Sequence, residues 1–366
     1  NIEDGVKLVR KKMESRSKIS SWVVLTAFVG VVFFSSFVGL AEETITIVDS
    51  AGRTVELPYP VNSVVALNGN VPEEMIALGA GDKIVGIALG TKTKVDEGLL
   101  PGLEDVAVIG DSEDPNYEKI AELDPDVVIQ FSSWPPVPDE LQAALDPFGI
   151  PVVALDLYRM EVYNDEVELL GKILGREQEA ADYIAFIQDQ YDLINERLES
   201  IPEEERKVVY FEGVGLYETY GGADFGCGIP GMIRAGGGKD LYPEIEAYYF
   251  NANPEDVAER NPDVIFKGIS EPKGYFMEDE TVLKNLREEV MNRPMWSETT
   301  AVKNGDVYAI SFDATSGLRK KFGPLFIAKA LYPETFSDLN PESFLTTYLE
   351  DYLGLEPQGV YIYPPL

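Results

Sequence analysis

The chain has 366 residues, 45% hydrophobic and 11% aromatic, enough for one large globular domain or two lobes and too apolar for disorder along its length. It contains no His and a single Cys, Cys227, which excludes an internal disulfide, hydrolases that use His as base, and zinc sites built on His or several Cys. With 64 acids against 30 bases it carries −34 at neutral pH, so its surface repels phosphate backbones and anionic lipid, and nucleic acid is not an expected partner.

The first feature in chain order is apolar. Trp22 to Leu40 runs without a charge, behind Arg10, Lys11, Lys12, Arg16 and Lys18 and ahead of Ala41 and Glu42. A basic start, an apolar middle and small residues at Gly39 and Ala41 read as a secretory signal cleaved before Glu42, with Met13 a candidate translation start. An uncleaved membrane anchor is the alternative, since about 19 residues just span a bilayer. Both readings put the rest outside the cytoplasmic membrane. Residues 42–366 hold 61 acids and 24 bases, net −37, a surface suited to a saline exterior.

Next come Thr44–Val48 and Thr54–Leu57, alternating runs about the turn Asp49–Arg53, which predict a hairpin. Val64–Leu67 predicts a strand, followed by a Gly/Asn turn and a helix from about Pro72 to Leu78 closed by Gly79. Val85–Ile87, Val106–Ile109 and Val127–Ile129 are further short apolar runs between helical stretches, the pattern of a parallel α/β sheet. Asn116–Gln130 (NYEKIAELDPDVVIQ) recurs 137 residues later as Asn253–Lys267 (NPEDVAERNPDVIFK), with seven of 15 positions identical. Each copy reads as helix, Pro-Asp turn, buried strand, and the offset suits two similar lobes rather than a solenoid. Between the copies, Gln178–Ser200 lacks Gly and Pro. Its apolar stripe of Ile184, Ile187, Tyr191, Ile194 and Leu198 predicts a connecting helix about 34 Å long. The expected layout is a signal or anchor over 1–41, a first lobe over 42–160, a linking helical segment over 161–201 and a second lobe over 202–366. A monomer is expected.

Gly226–Gly231 (GCGIPG) satisfies G-x-G-x-x-G literally, but no strand immediately precedes it, so it reads as a loop entering a helix, not a nucleotide site. Cys227 within it reads as an inert small apolar residue. The acidic loop Asp111–Asp114 lacks EF-hand spacing. Arg319-Lys320-Lys321 is the one run of three cations in the exported part, and an Arg fork suits a carboxylate, phosphate or hydroxamate oxygen. Trp134 follows the strand Val127–Ile129, and Tyr217 and Tyr220 follow Val208–Phe211. Ligands in α/β sheets sit beyond strand carboxyl ends, where such rings stack on flat or bulky ligands. Asn68, in the turn after the first parallel strand, and Lys92 complete the candidate ligand contacts.

Taken together, ITIVDSAGRTVELP, VVALNGNVPEEMIALGAGDKIVGI, the two Pro-Asp strands, YGGADFGCGIPGMIRAGGGKDL, AVKNGDVYAI and GLRKKFGPLFIAKALYPE resemble, in order, the solute-binding proteins of ABC importers that capture ferric siderophores, haem and cobalamin. The resemblance covers Ile45 to about Leu353. It implies two α/β lobes joined by one long helix, with ligand in the cleft between them, no enzymatic activity, no resident cofactor, and a membrane permease as partner. It puts Arg319 where several members place a ligand-contacting Arg, and Glu73 on the first-lobe Glu that pairs with an Arg of the permease. The second-lobe counterpart is Arg234, a departure from the pattern. The absence of His argues against relatives that bind bare zinc or manganese and removes one of the usual haem ligands, Tyr remaining. A ferric siderophore or corrinoid is the expected ligand. A molybdate-like oxyanion, held by Arg319, Lys92 and loop amides, is the alternative, and an enzyme using a Glu/Asp pair or Lys is a further rival.

Overall fold

The central strands of both sheets follow the apolar runs. In chain order the strands are β1 (Thr44–Val48), β2 (Thr54–Pro58), β3 (Val64–Ala66), β4 (Ile84–Ile87), β5 (Ala107–Val108), β6 (Val127–Gln130), β7 (Val152–Ala154), β8 (Val208–Glu212), β9 (Glu218–Thr219), β10 (Lys239–Asp240), β11 (Phe250–Asn251), β12 (Val264–Ile269), β13 (Val307–Ser311) and β14 (Ile362–Tyr363). The computed structural model describes residues 43–132, 137–222 and 228–366. The proposed signal or anchor, Trp134 and Cys227 lie outside them.

β1 and β2 form the expected antiparallel hairpin. β5-β4-β3-β6-β7 make an all-parallel sheet, and a second sheet runs β11-β9-β8-β12-β13-β14 with β10 beside β8. Both central strands are buried on two faces, as parallel sheets covered by helices must be. Val64, Ile129 and Val153 face one apolar cluster while Val65, Val128 and Val152 face another. The same alternation sends Val209, Phe211 and Phe266 into the first cluster and Tyr210 and Ile265 into a separate one. One face of each sheet therefore shares a single apolar core.

The connection between the sheets is a helical hairpin, not one helix. Tyr163–Leu174 packs on the first lobe, and Glu177–Leu198 is the long arm, about 33 Å at the usual rise. The arms meet tightly at Gly171, where a Cβ would lie 2.5 Å from that of Ala180. The long arm buries Ala180, Tyr183, Ile187, Ile194 and Leu198, while Ile184 and Tyr191 sit half-buried on the flank of the stripe.

The sequence repeat has a physical meaning. Its two copies end in different sheets, as β6 and β12. Both helices are capped by the repeat's Asn: Asn116 accepts from Lys119 N at 2.9 Å and Asn253 from Glu255 N at 2.9 Å. Both leave through a left-handed residue, Asp124 or Asn261. Both Pro-Asp carboxylates tie the neighbouring parallel strand: Asp126 accepts from Asn62 N (2.6 Å) and Ser63 N (3.0 Å) ahead of β3, and Asp263 from Val208 N (2.7 Å) at the start of β8. Removing either carboxylate takes the partner from backbone amides at the start of an interior strand, two for Asp126 and one for Asp263. Asp126→Ala and Asp263→Ala should each cost about 1–2 kcal/mol in chemical denaturation, Asp126→Ala the more because it serves two amides.

Candidate functional site

The carboxyl ends of the two sheets face each other. Gly317, held at φ +55, sits opposite the amide oxygen of Asn70, and the Lys320 ammonium lies 5.5 Å above the Tyr158 ring. Each rim is first made rigid within its own lobe.

In the first lobe the strand order reverses between β3 and β6, which opens a crevice at their carboxyl ends. Asn68 there is fully buried. Its amide donates to Leu155 O at 2.5 Å, and its side-chain oxygen accepts from Asn70 N at 2.8 Å. Asp156 takes Ser132 N (2.8 Å), Ser132 Oγ (2.6 Å) and Arg159 (2.9 Å), while Glu166 accepts from the amides of Asp156 and Leu157. Asn68 thus joins two loop ends, and its polar atoms are spent inside the protein rather than open to a ligand. Lys92 is partly exposed and pairs with Asp96 one turn along the same helix, Leu89–Asp96.

In the second lobe, Glu212 at the end of β8 is fully buried and receives both arms of Arg293, at 2.6 and 2.9 Å, and Lys267 at 3.0 Å. Lys267 also donates to the carbonyls of Gly213 (2.6 Å), Val214 (3.0 Å) and Gly215 (3.1 Å), pinning the 213–215 loop. Arg293 stacks on Trp296 at 4.5 Å and on Tyr217 at 4.9 Å. Tyr217, expected at a ligand, is packed here instead. Tyr220 is half-buried, edge-on to Phe211, with its hydroxyl beside Gly213 at the end of β8.

Across the seam, Glu73 of the first-lobe helix Val71–Ala77 accepts from Arg319 Nε at 3.3 Å and from the Tyr348 hydroxyl at 3.0 Å, with Lys94 at 3.5 Å. Arg319 is also 3.8 Å from Asp313. Both Glu73 and Arg319 are about 95% buried, so in this arrangement Glu73 is withdrawn from any docking surface and Arg319 is turned to a carboxylate, not to an open cleft. Arg234 is exposed on the second lobe, donating to Gly222 O at 3.2 Å. Beside the pair, Tyr163 donates to Glu74 at 2.8 Å and accepts from Lys321 at 3.0 Å, and Lys321 also bonds the Tyr183 hydroxyl. Burial would raise the Glu73 carboxyl, but Arg319, Lys94, Lys321 and the Tyr348 hydroxyl outweigh it and hold it at about 2. Burial dominates at its neighbours, lifting Glu74 above the ordinary carboxyl value and lowering Lys321 to about 8. A cavity of about 120 Å³ adjoins this cluster, lined among others by Tyr158, Tyr163, Gln188, Tyr191, Lys320 and Lys321.

Sequence reasoning missed the Glu212–Lys267–Arg293 group, Tyr348, and Glu74 and Lys321, which meet at the Tyr163 hydroxyl. A signal for the first was present: β8 and β12 are apolar runs with a lone charge near the carboxyl end, and a charge there must be met by another. Glu212→Ala leaves two buried cations without their anion and should cost about 3–5 kcal/mol in denaturant unfolding, far more than a truncation at exposed Glu255. Because Glu73 is held below its unfolded value near 4.3, its stabilisation is present above that value. The gap in thermal stability between wild type and Glu73→Gln should therefore shrink as pH falls from about 4.3 toward 2.

The family described as periplasmic binding protein matches residues 64–314. The molybdate-binding protein MolA of Haemophilus influenzae is 25% identical over 345 residues, covering 87% of this chain and 92% of its own. The uncharacterized ABC transporter substrate-binding lipoprotein YvrC of Bacillus subtilis is 26% identical over 301 residues, covering 80% and 87%. Among solved structures, the TroA-like periplasmic binding protein FepB of Veillonella parvula superposes with a TM-score of 0.72 at 24% identity, covering 88% of this chain and all of its own. MolA bound to molybdate superposes with a TM-score of 0.67 at 23% identity, covering 86% and 99%. The matched stretch takes in all of the first parallel sheet and, from the second, β8 through β13, and the chain belongs to the periplasmic binding protein family.

Proposed function

We propose that this chain captures a metal complex, a ferric siderophore or corrinoid, between its two lobes and delivers it to the membrane permease of an ABC importer. Membership of the periplasmic binding protein family supports solute capture, and the likeness to an ABC transporter substrate-binding lipoprotein supports the permease as partner. The observation that favours a chelate is where apolar surface is exposed. In an exported part of net charge −37, large apolar side chains stand in solvent after the carboxyl ends of strands: Leu89 after β4, Val137 after β6, and Val214 and Leu216 after β8. Leu216 is 60% exposed. Apolar groups gathered on both facing rims suit a ligand with an apolar periphery. Trp134, following β6, and Tyr220, following β8, are proposed as its aromatic contacts.

The second reading is a small oxyanion. It rests on the likeness to MolA and on the cavity of about 120 Å³ beside Lys320 and Lys321, which is too small for a chelate and ample for a tetrahedral anion.

Titration with ferric siderophores, corrinoids and molybdate separates the two. On the chelate reading, Leu216→Asp and Leu89→Asp each weaken chelate binding by about 1.5 kcal/mol, roughly tenfold, and leave molybdate untouched. On the oxyanion reading the rim variants bind as wild type, and Lys320→Ala costs molybdate about 1.5–3 kcal/mol, tenfold to a hundredfold. A wild-type protein that binds none of the three classes would overturn both readings.

A further inference from the structure

The polar bonds that cross the seam are asymmetric in charge. The first lobe supplies carboxylates, Glu73 and Glu97, and the second supplies cations, Arg319 and Lys273, the latter 2.7 Å from Glu97. Tyr348 of the second lobe adds its hydroxyl to Glu73. These two ion pairs differ in depth, and a further buried bond crosses from Lys321 to the Tyr163 hydroxyl at 3.0 Å. Lys273 and Glu97 keep 18% and 31% of their side-chain surface, whereas Arg319 and Glu73 keep 6% and 5%.

We propose that Glu73 is a positioning residue that fixes the angle between the lobes, through its bonds to Arg319 and Tyr348. The physical reason is desolvation. A guanidinium that has lost its carboxylate inside protein faces a cost far larger than the pair itself was worth. Asp313, at 3.8 Å, remains an ion-pair partner of Arg319 but lies beyond hydrogen-bond reach, so it compensates the lost carboxylate only in part. The cheapest way to pay that cost is to let water in, and at this seam water enters by parting the lobes. The outer Lys273–Glu97 bridge is already wetted, so its loss exposes nothing new and moves the lobes less. Glu73 thus acts on capture through lobe geometry, without touching the ligand. The idea rests on the two-lobe arrangement and not on which solute is bound.

Pulsed electron paramagnetic resonance on ligand-free protein tests it, with spin labels at Glu122→Cys in the first lobe and Glu259→Cys in the second, in a Cys227→Ser background. Both label sites are exposed and lie on helices. Glu73→Gln should shift the distance distribution by more than about 2 Å and broaden it, the scale of a genuine rearrangement. Tyr348→Phe, which removes one hydrogen bond and keeps the ring packing, should move it the same way by less, and it serves if Glu73→Gln does not fold. Glu97→Gln should shift it less than Glu73→Gln, and Lys92→Ala, which changes a pair inside one lobe, should leave it alone. The double variant Glu73→Met with Arg319→Met, which removes both charges, should restore the wild-type distribution. Wild-type distances in folded Glu73→Gln and Tyr348→Phe would overturn the proposal and reduce the pair to packing. The measurement uses no ligand, so a failed ligand panel leaves it standing, and its own failure leaves the ligand readings untouched.

Discussion

A charge withdrawn from water must meet its counter-charge inside the protein, and at the carboxyl ends of these two sheets that requirement organises almost everything else. Glu212, Lys267 and Arg293 satisfy it within the second lobe, Asp156 and Arg159 within the first, and Glu73 with Arg319 between them. Residues 42–366 have few bases for their acids, yet Lys267, Arg293, Arg319, Lys320, Lys321 and Lys329 are all buried. Among the described residues six acids, Asp49, Glu73, Glu74, Asp156, Glu166 and Glu212, are buried with those six cations, so the interior is close to balanced and the excess of acids stays in water, where it costs little.

The same requirement explains why the rims are stiff. Lys267 gathers three successive carbonyls, and at the equivalent position of the repeat Gln130 donates to Ser112 O and accepts from Phe131 N. One position in each lobe therefore ties a loop at its strand's carboxyl end, with an amide in one and an ammonium in the other. Apolar side chains such as Val214 and Leu216 then project from loops whose backbones are already fixed, so a ligand gains contact without ordering the loop first.

Beneath the rims the lobes are not separate bodies on a string. Val64 and Ile129 of the first sheet, Val209 and Phe266 of the second, and Ile187 and Ile194 of the long helix share one apolar cluster. A core so shared resists large rearrangement, because close packing leaves few alternatives of similar energy. Motion between the lobes is then left to the seam, where the bonds are polar and water can replace them.

The amino-acid sequence by itself determined the local features. Periods of two and of about three and a half residues set the strands and the long helix. The repeat exposed two α/β units because each copy does the same job: cap a helix, turn, and tie the adjacent strand through Asp126 or Asp263. These are interactions between residues close in sequence or between neighbouring strands of one sheet. The site was legible only as a region. Arg319 stood out as a cation, but its partner Glu73 lies 246 residues away, and Tyr348 lies 275 from that same carboxylate. Asn68 and Tyr217 carry ligand-like side chains that the fold spends on Leu155 and Trp296. Which polar group faces a ligand and which faces another residue is decided by burial across the seam, and burial is a property of the assembled lobes rather than of any stretch of sequence.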